Sequence, residues 1–339
     1  MRSPLLLGPA ARGVALMVLF TGNATAQSAS TAQATSTGSG QAYPTRPIRL
    51  VLPFAPGGST DTLARILQPR LTEALGQTIV VDNRPGGANN IAAEIVAKSA
   101  PDGHTLFMAS PNFTTNKSLY RTLAYDPLRD FVPVTHLGIG PYVLALHPGV
   151  PANAVADLLA LAKAKPRGLS YASPGVGSAS HLAMELFKMR AGVDMAHVAY
   201  KSGGPAGLAV LAGEVQLYLG SIASSMPHVR GGRLKAIAVT SAKRTALAPE
   251  LATLHESGFP GFDVNTWDCV VAPAGTPKAI IARLNAETVK VLRMPEVRDL
   301  VIKMGYEPTG TTPEELARFL RSETELWAKV IRSANIHLD

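Results

Sequence analysis

Two glycine-rich turns carry hydroxyl side chains at the spacing that suits an anion. The first reads Pro56-Gly57-Gly58-Ser59-Thr60-Asp61 and the second Ser173-Pro174-Gly175-Val176-Gly177-Ser178-Ala179-Ser180-His181. Each follows an apolar run and precedes a helical period, so each leaves free backbone amides at a helix start. Glycine lets the backbone approach a ligand closely. The amides, with the macrodipole behind them, favour an anion by ~0.3–1 kcal/mol, and by up to ~2 kcal/mol where partly buried. Taken singly, the first turn reads as a plain capped turn, with Ser59 or Thr60 as N-cap and Asp61 in the first helical turn. Two such turns facing each other across a cleft point instead to an anion site. The first is not a phosphate P-loop, because no Gly-Lys-Ser/Thr follows.

The elements that must hold these turns alternate in type. Apolar runs at 48–54, 78–81 and 105–109 read as strands, separated by helical periods after Ser59 and after Gly87. On the first helix Leu63, Ile66, Leu67, Leu71 and Leu75 share a face, and Gly76 stops it. The cycle resumes with strands at 169–172, 196–200, 215–219 and 236–240 and helices at about 178–189, 205–212 and 223–230. This alternation indicates an α/β fold with mostly parallel sheets. Extended segments at 131–134 and 142–146 separate the first set from the second, 267–272 follows the second, and 277–336 is almost all helix. That chain order describes a two-lobed clamp: one lobe, a strand across, a second lobe, a strand back, then helices completing the first. Residues 43–140 and 270–339 are expected in lobe one and 141–269 in lobe two. The ligand cleft then lies between the lobes, outside the carboxyl ends of the strands, with a two-strand hinge.

The amino terminus has a different task. Arg2 and Arg12 flank the approach to a short apolar run at 14–20, and Ala24-Thr25-Ala26 supplies a cleavage site. Residues 1–26 therefore read as a secretory signal peptide rather than a membrane anchor, which needs ~20 apolar residues. Residues 27–42 hold only Gln, Ser, Ala, Thr and Gly, the composition of a disordered leader. The lone cysteine, Cys269, permits no intrachain disulfide, and none stands at the cleavage site to carry a lipid. The expected location is a periplasm, without a lipid anchor.

The net charge of +8 arises from scattered Lys and Arg, with no basic run, so nucleic acid is not an expected partner. The eight histidines show no metal-ligand spacing, no dinucleotide fingerprint occurs, and there is no Gly-x-Ser-x-Gly elbow. No cofactor, metal or catalytic residue is expected. An enzyme remains as an alternative through Cys269, since porphobilinogen deaminases use a two-lobed fold and attach their cofactor to a cysteine.

The stretches Tyr43-Pro44-Thr45-Arg46-Pro47-Ile48-Arg49 and Val51-Leu52-Pro53-Phe54-Ala55-Pro56-Gly57-Gly58-Ser59-Thr60-Asp61 resemble the opening of the Bug family, the substrate-binding proteins of tripartite tricarboxylate transporters. Asn83-Arg84-Pro85-Gly86-Gly87, Ala100-Pro101-Asp102-Gly103, Tyr125-Asp126-Pro127, His197-Val198-Ala199-Tyr200-Lys201 and Ala272-Pro273-Ala274-Gly275-Thr276-Pro277 fit the same pattern. The resemblance spans residues 43–336. It implies the type II periplasmic-binding-protein fold, a small carboxylate ligand, a monomeric state and a partner made of two membrane subunits. A sensor docking on a membrane kinase would use the same clamp and is the other binding reading.

The resemblance also assigns residues. Gly177, Ser178 and Ser173, with Gly175, would hold a carboxylate. Gly57, Gly58 and Asp61, with Ser59 and Thr60, would form the first-lobe shell. Ser110 and Asn112, in a loop one residue shorter than the family's, are further contacts, as are His181, Ser221 and Trp267 on the returning strand. Two departures stand out. Gly220 replaces an Asp common in relatives, which removes a partner for an ammonium group and leaves room. Asp268 stands where relatives tend to be aromatic. The expected ligand is a carboxylate without an amino group, bulky or aromatic.

Overall fold

The structure is a computed structural model and describes residues 43–86 and 89–338. The expected signal peptide and leader lie outside the described residues. Within them one ten-stranded sheet runs through the molecule in the order β2-β1-β3-β9-β4-β7-β5-β6, with β8 and β10 paired to β4. In the first half β1 (Ile48–Leu52), β2 (Ile79–Asn83) and β3 (Thr105–Ala109) are parallel. In the second half β5 (Ser170–Ser173), β6 (Ala196–Ala199) and β7 (Leu217–Ser221) are parallel too. The intervening helices are α1 (Ser59–Leu75), α2 (Asn90–Ala97), α3 (Asn112–Leu119), α4 (Val155–Ala164), α5 (Ala179–Ala191), α6 (Gly203–Leu211) and α7 (Ile222–Arg230).

Two long antiparallel strands join the halves. β4 (Phe131–Leu146) pairs with β9 (Asn265–Pro273) over its first part, then with β7 and β8 (Lys235–Val239) over its last five residues. The two extended segments expected at 131–134 and 142–146 are thus one strand. Gly138, Gly140 and Pro141 break its apolar pattern without breaking its course, because β9 supplies a hydrogen-bonding partner throughout.

Side-chain parity divides the core. Along β1, Ile48, Leu50 and Leu52 pack under α1 while Val51 faces the opposite layer. Along β4, Leu144 and Leu146 join the layer under α5, whereas Val143 and Ala145 join that under α6 and α7. After β9 the chain forms α8 (Lys278–Leu292), α9 (Pro295–Lys303), the short β10 (Glu307–Pro308) and α10 (Pro313–Ser333). A capping box starts α10: Thr312 Oγ1 accepts from Glu315 N, and the Glu315 carboxylate accepts from Thr312 N. The helix then serves both halves. Leu316 and Leu320 pack with Phe107 and Phe113, while Trp327, Val330 and Ile331 pack with Leu182 and Phe187.

Two helices went unread in the sequence. Residues 110–116 read in the sequence as a loop, whereas 112–119 form α3 without an apolar stripe. Burial of Phe113 and Leu119 makes it helical. α4 begins where Asp157 accepts hydrogen bonds from Asn153 N and Ala154 N.

Candidate functional site

Among the described residues, five helices begin at one cavity of about 340 Å³ between the two halves of the sheet. Each follows the carboxyl end of a parallel strand. α1 contributes Ser59 and Thr60, and the β3–α3 junction contributes Ser110, Pro111 and Asn112. From the other half come Ser178, Ala179 and Ser180 of α5, Gly203 and Gly204 of α6, and Ser221 and Ser224 of α7. Of these N-termini, α1, α3 and α6 have no side-chain cap, although at α3 Phe113 N and Thr114 N already donate to the carbonyls of Ser110 and Pro111. No Lys, Arg or His is among the described residues that line the cavity. Attraction for a carboxylate there would come from backbone amides and helix dipoles, not from a cationic side chain.

Six of the expected residues line this cavity: Ser59, Thr60, Ser110, Asn112, Ser178 and Ser221. Ser178 and Ser221 are also N-caps, accepting from His181 N and Ser224 N. The other expected residues stand behind the wall or at its rim. Gly57 and Gly58 are exposed beside the mouth. Asp61 is buried, and its carboxylate accepts from Gly57 N, Arg65 Nε and Asn83 Nδ2. The Arg65 hydrogen bond, foremost, holds its pKa at about 2. Asp61 therefore ties down the turn that presents Ser59.

The second turn is braced by stacked rings. Gly177 N donates to His181 Nδ1 at 3.1 Å, which leaves the proton of the neutral imidazole on Nε2. The His181 ring stacks on His197 with centroids 3.9 Å apart, and His197 Nε2 is 2.6 Å from Ser173 Oγ. Tyr171 continues the stack and bonds Glu185, which pairs with Lys188. Burial, and then the neighbouring His197, lower the His181 pKa to about 4. Gly177 has φ +76°, and a Cβ there would lie 2.8 Å from Leu338 Cδ1, so the position excludes side chains. Ser173, Gly177 and His181 shape the turn from beneath, while Gly175 lies outside the lining with φ +134°.

Trp267 was expected at the cleft, but it is buried on the opposite face of β9 with Cys269 and Val271. Its indole N–H donates to Glu323 of α10. Parity places Asp268 on the cleft side instead. Nothing in the sequence pointed to Tyr142, Tyr218, Tyr306 and Thr266, which also line the cavity. Gly220 lines the cavity too, but the room expected from the missing side chain is taken. A Cβ there would fall 2.3 Å from Ser225 Oγ and 2.4 Å from Tyr218 Cε2. The Tyr218 hydroxyl is itself 2.9 Å from Ser225 Oγ. Cys269 is fully buried, and burial raises its thiol pKa well above the usual range, which is unsuited to a nucleophile. No group of three His, Cys, Asp or Glu among the described residues is placed to hold a metal ion.

The family model described as tripartite tricarboxylate transporter family receptor matches residues 63–336. A Pseudomonas protein encoded in the tcbD-tcbE intergenic region is 40% identical over 291 residues, covering 86% of this chain and 87% of its own. BugT of Bordetella pertussis is 36% identical over 302 residues, covering 88% and 93%. Among solved structures, a Rhodopseudomonas palustris protein with adipate superimposes with TM-score 0.77 at 38% identity, covering 87% of this chain and 99% of that one. MatC of Rhodopseudomonas palustris, with bound malate, gives TM-score 0.73 at 33% identity over 85% of this chain and all of the other.

Proposed function

This chain belongs to the tripartite tricarboxylate transporter receptor family, and we propose on that premise that it captures a small organic carboxylate in the cavity between its lobes and delivers it to a membrane transporter. The observation that carries the reading is the convergence of five helix N-termini on one cavity with no lysine, arginine or histidine in its described lining. Serine hydroxyls and backbone amides from α5, α6 and α7 receive a carboxylate on one side. Ser59, Thr60, Ser110 and Asn112 face it from the other. Relatives holding adipate and malate support a dicarboxylate of this size, and pockets of a few hundred Å³ suit such ligands.

We assign residues 43–140 and 270–339 to one lobe and 141–269 to the other, with the last turns of α10 resting against the second. β4 and β9 are then the hinge. Cleavage near Ala26 would release a periplasmic monomer that docks on two membrane subunits. A thermal-shift screen of residues 27–339 against mono-, di- and tricarboxylates, aromatic acids and amino acids tests the reading. A ligand at ~100 times its Kd adds ~2.7 kcal/mol, a rise of several degrees. A folded sample that no carboxylate stabilises would reject it.

A further inference from the structure

The carboxyl of Asp268 plays no part in the anion site described above, yet it stands in the cavity wall. Asp268 is fully buried. Its Oδ1 accepts from Thr60 Oγ1 at 2.8 Å, and its Oδ2 has no hydrogen-bond partner. The titratable groups around it are Tyr306 ahead of β10 and Tyr142 on β4, with Cys269 next to it in the chain but on the opposite face of β9. Burial holds all three neutral. The Tyr306 hydroxyl favours the charged carboxylate without completing a bond to Oδ2. A negative charge on Asp268 is therefore buried with no cationic partner, which is costly. A ligand carboxylate in the same cavity adds a second negative charge, and two carboxylates sharing a site cannot both ionise freely.

Resting on the carboxylate-binding reading, we propose that Asp268 sets the charge preference of the cleft. It holds a proton in the liganded state, so capture of a carboxylate above neutral pH draws one proton from solution onto Asp268. Protonated Asp268 accommodates a dianion, whereas an ammonium-bearing analogue finds a counter-charge only where Asp268 is ionised. Geometry carries this, and the burial that pushes the free carboxyl up to about 7 agrees with it.

The test is calorimetric titration of residues 27–339 with adipate and with 2-aminoadipate, in two buffers of different ionisation enthalpy. Both ligand carboxyls stay ionised near and above neutral pH. Adipate affinity should fall more than about tenfold between about pH 6.5 and pH 8.5, with uptake of about one proton per ligand at the alkaline end. Asp268→Asn, which can still accept from Thr60, should bind adipate with little pH dependence and no proton uptake. At about pH 6.5, where Asp268 keeps its proton, adipate should bind more tightly than 2-aminoadipate to the native chain, and the difference should shrink toward about pH 8.5. Unchanged affinity across this range without proton uptake, or tighter binding of 2-aminoadipate at about pH 6.5, would overturn the inference and leave carboxylate capture standing. If the thermal-shift screen finds no carboxylate at all, the functional reading fails and this inference fails with it.

Discussion

Ser178 has two tasks at the start of α5: it caps the helix by accepting from His181 N, and its side chain lines the cavity. Ser178→Ala should cost about 0.5–2 kcal/mol of stability through the cap. It should also weaken carboxylate binding by roughly tenfold, the equivalent of one hydrogen bond at about 1.4 kcal/mol. Chemical denaturation and calorimetry on the same sample separate the two effects, and unchanged affinity would place the ligand elsewhere. Asp268 and His181 make opposite demands of pH. Between about 4 and 7 the folded chain keeps a proton on Asp268 that the unfolded chain has released, so this residue's contribution to stability falls as pH rises through that window. Asp268→Asn should therefore be more stable than the native chain at about pH 8, by on the order of 2–4 kcal/mol, with the advantage gone in acid. For His181, with its pKa lowered to about 4, the unfolded chain binds the proton first. Stability is then lost as pH falls from about 6.5 toward 4, and a protonated Nδ1 can no longer accept from Gly177 N. Urea titrations across pH check both directions. Serines beside glycine turns were readable because amide-rich helix starts announce themselves locally. Asp268 is visible in the sequence only as an anomaly: from Trp267 to Val271 it is the one polar residue among apolar ones on both faces of β9, so alternation does not say which side faces the cleft.

At the scale of elements, Glu323 on α10 accepts from the indole N–H groups of both Trp267 and Trp327, tying β9 to the helix that spans the two halves. Glu323→Leu leaves two buried donors unpaired and should cost roughly 2–6 kcal/mol, whereas Glu323→Gln keeps an acceptor and should cost much less. Equal stability of the two variants by denaturant titration would show that the indoles find other partners. Gly220→Ala should also destabilise the end of β7, since the new Cβ meets Tyr218 and Ser225. The α/β alternation was legible because each strand is an apolar run and each long helix carries a stripe, as Leu63, Leu67, Leu71 and Leu75 do on α1. α3 and the unbroken course of β4 were not, because tertiary partners decide them: the burial of Phe113 and Leu119 in one case, β9 in the other.

At the scale of the whole molecule, the two halves meet through β4, β9 and α10, and the cavity lies between them. A ligand bridging the five helix starts should draw the halves together about these strands. Small-angle scattering should show a smaller radius of gyration with ligand than without. The chain order of the clamp was readable from where the two extended segments fall. The tyrosine-rich lining was not, because Tyr142, Tyr218 and Tyr306 come from three distant parts of the chain and converge only through the fold.

A crystal structure of residues 27–339 with the carboxylate that gives the largest thermal shift tests capture in this cavity. It should show a ligand carboxylate within about 3 Å of backbone amides at the α5 start and of the Ser178 or Ser221 hydroxyl. The rest of the ligand should lie between Ser59, Asn112 and Asp268. A ligand bound outside this cavity, or held there by a cationic side chain instead of amides and hydroxyls, would contradict it.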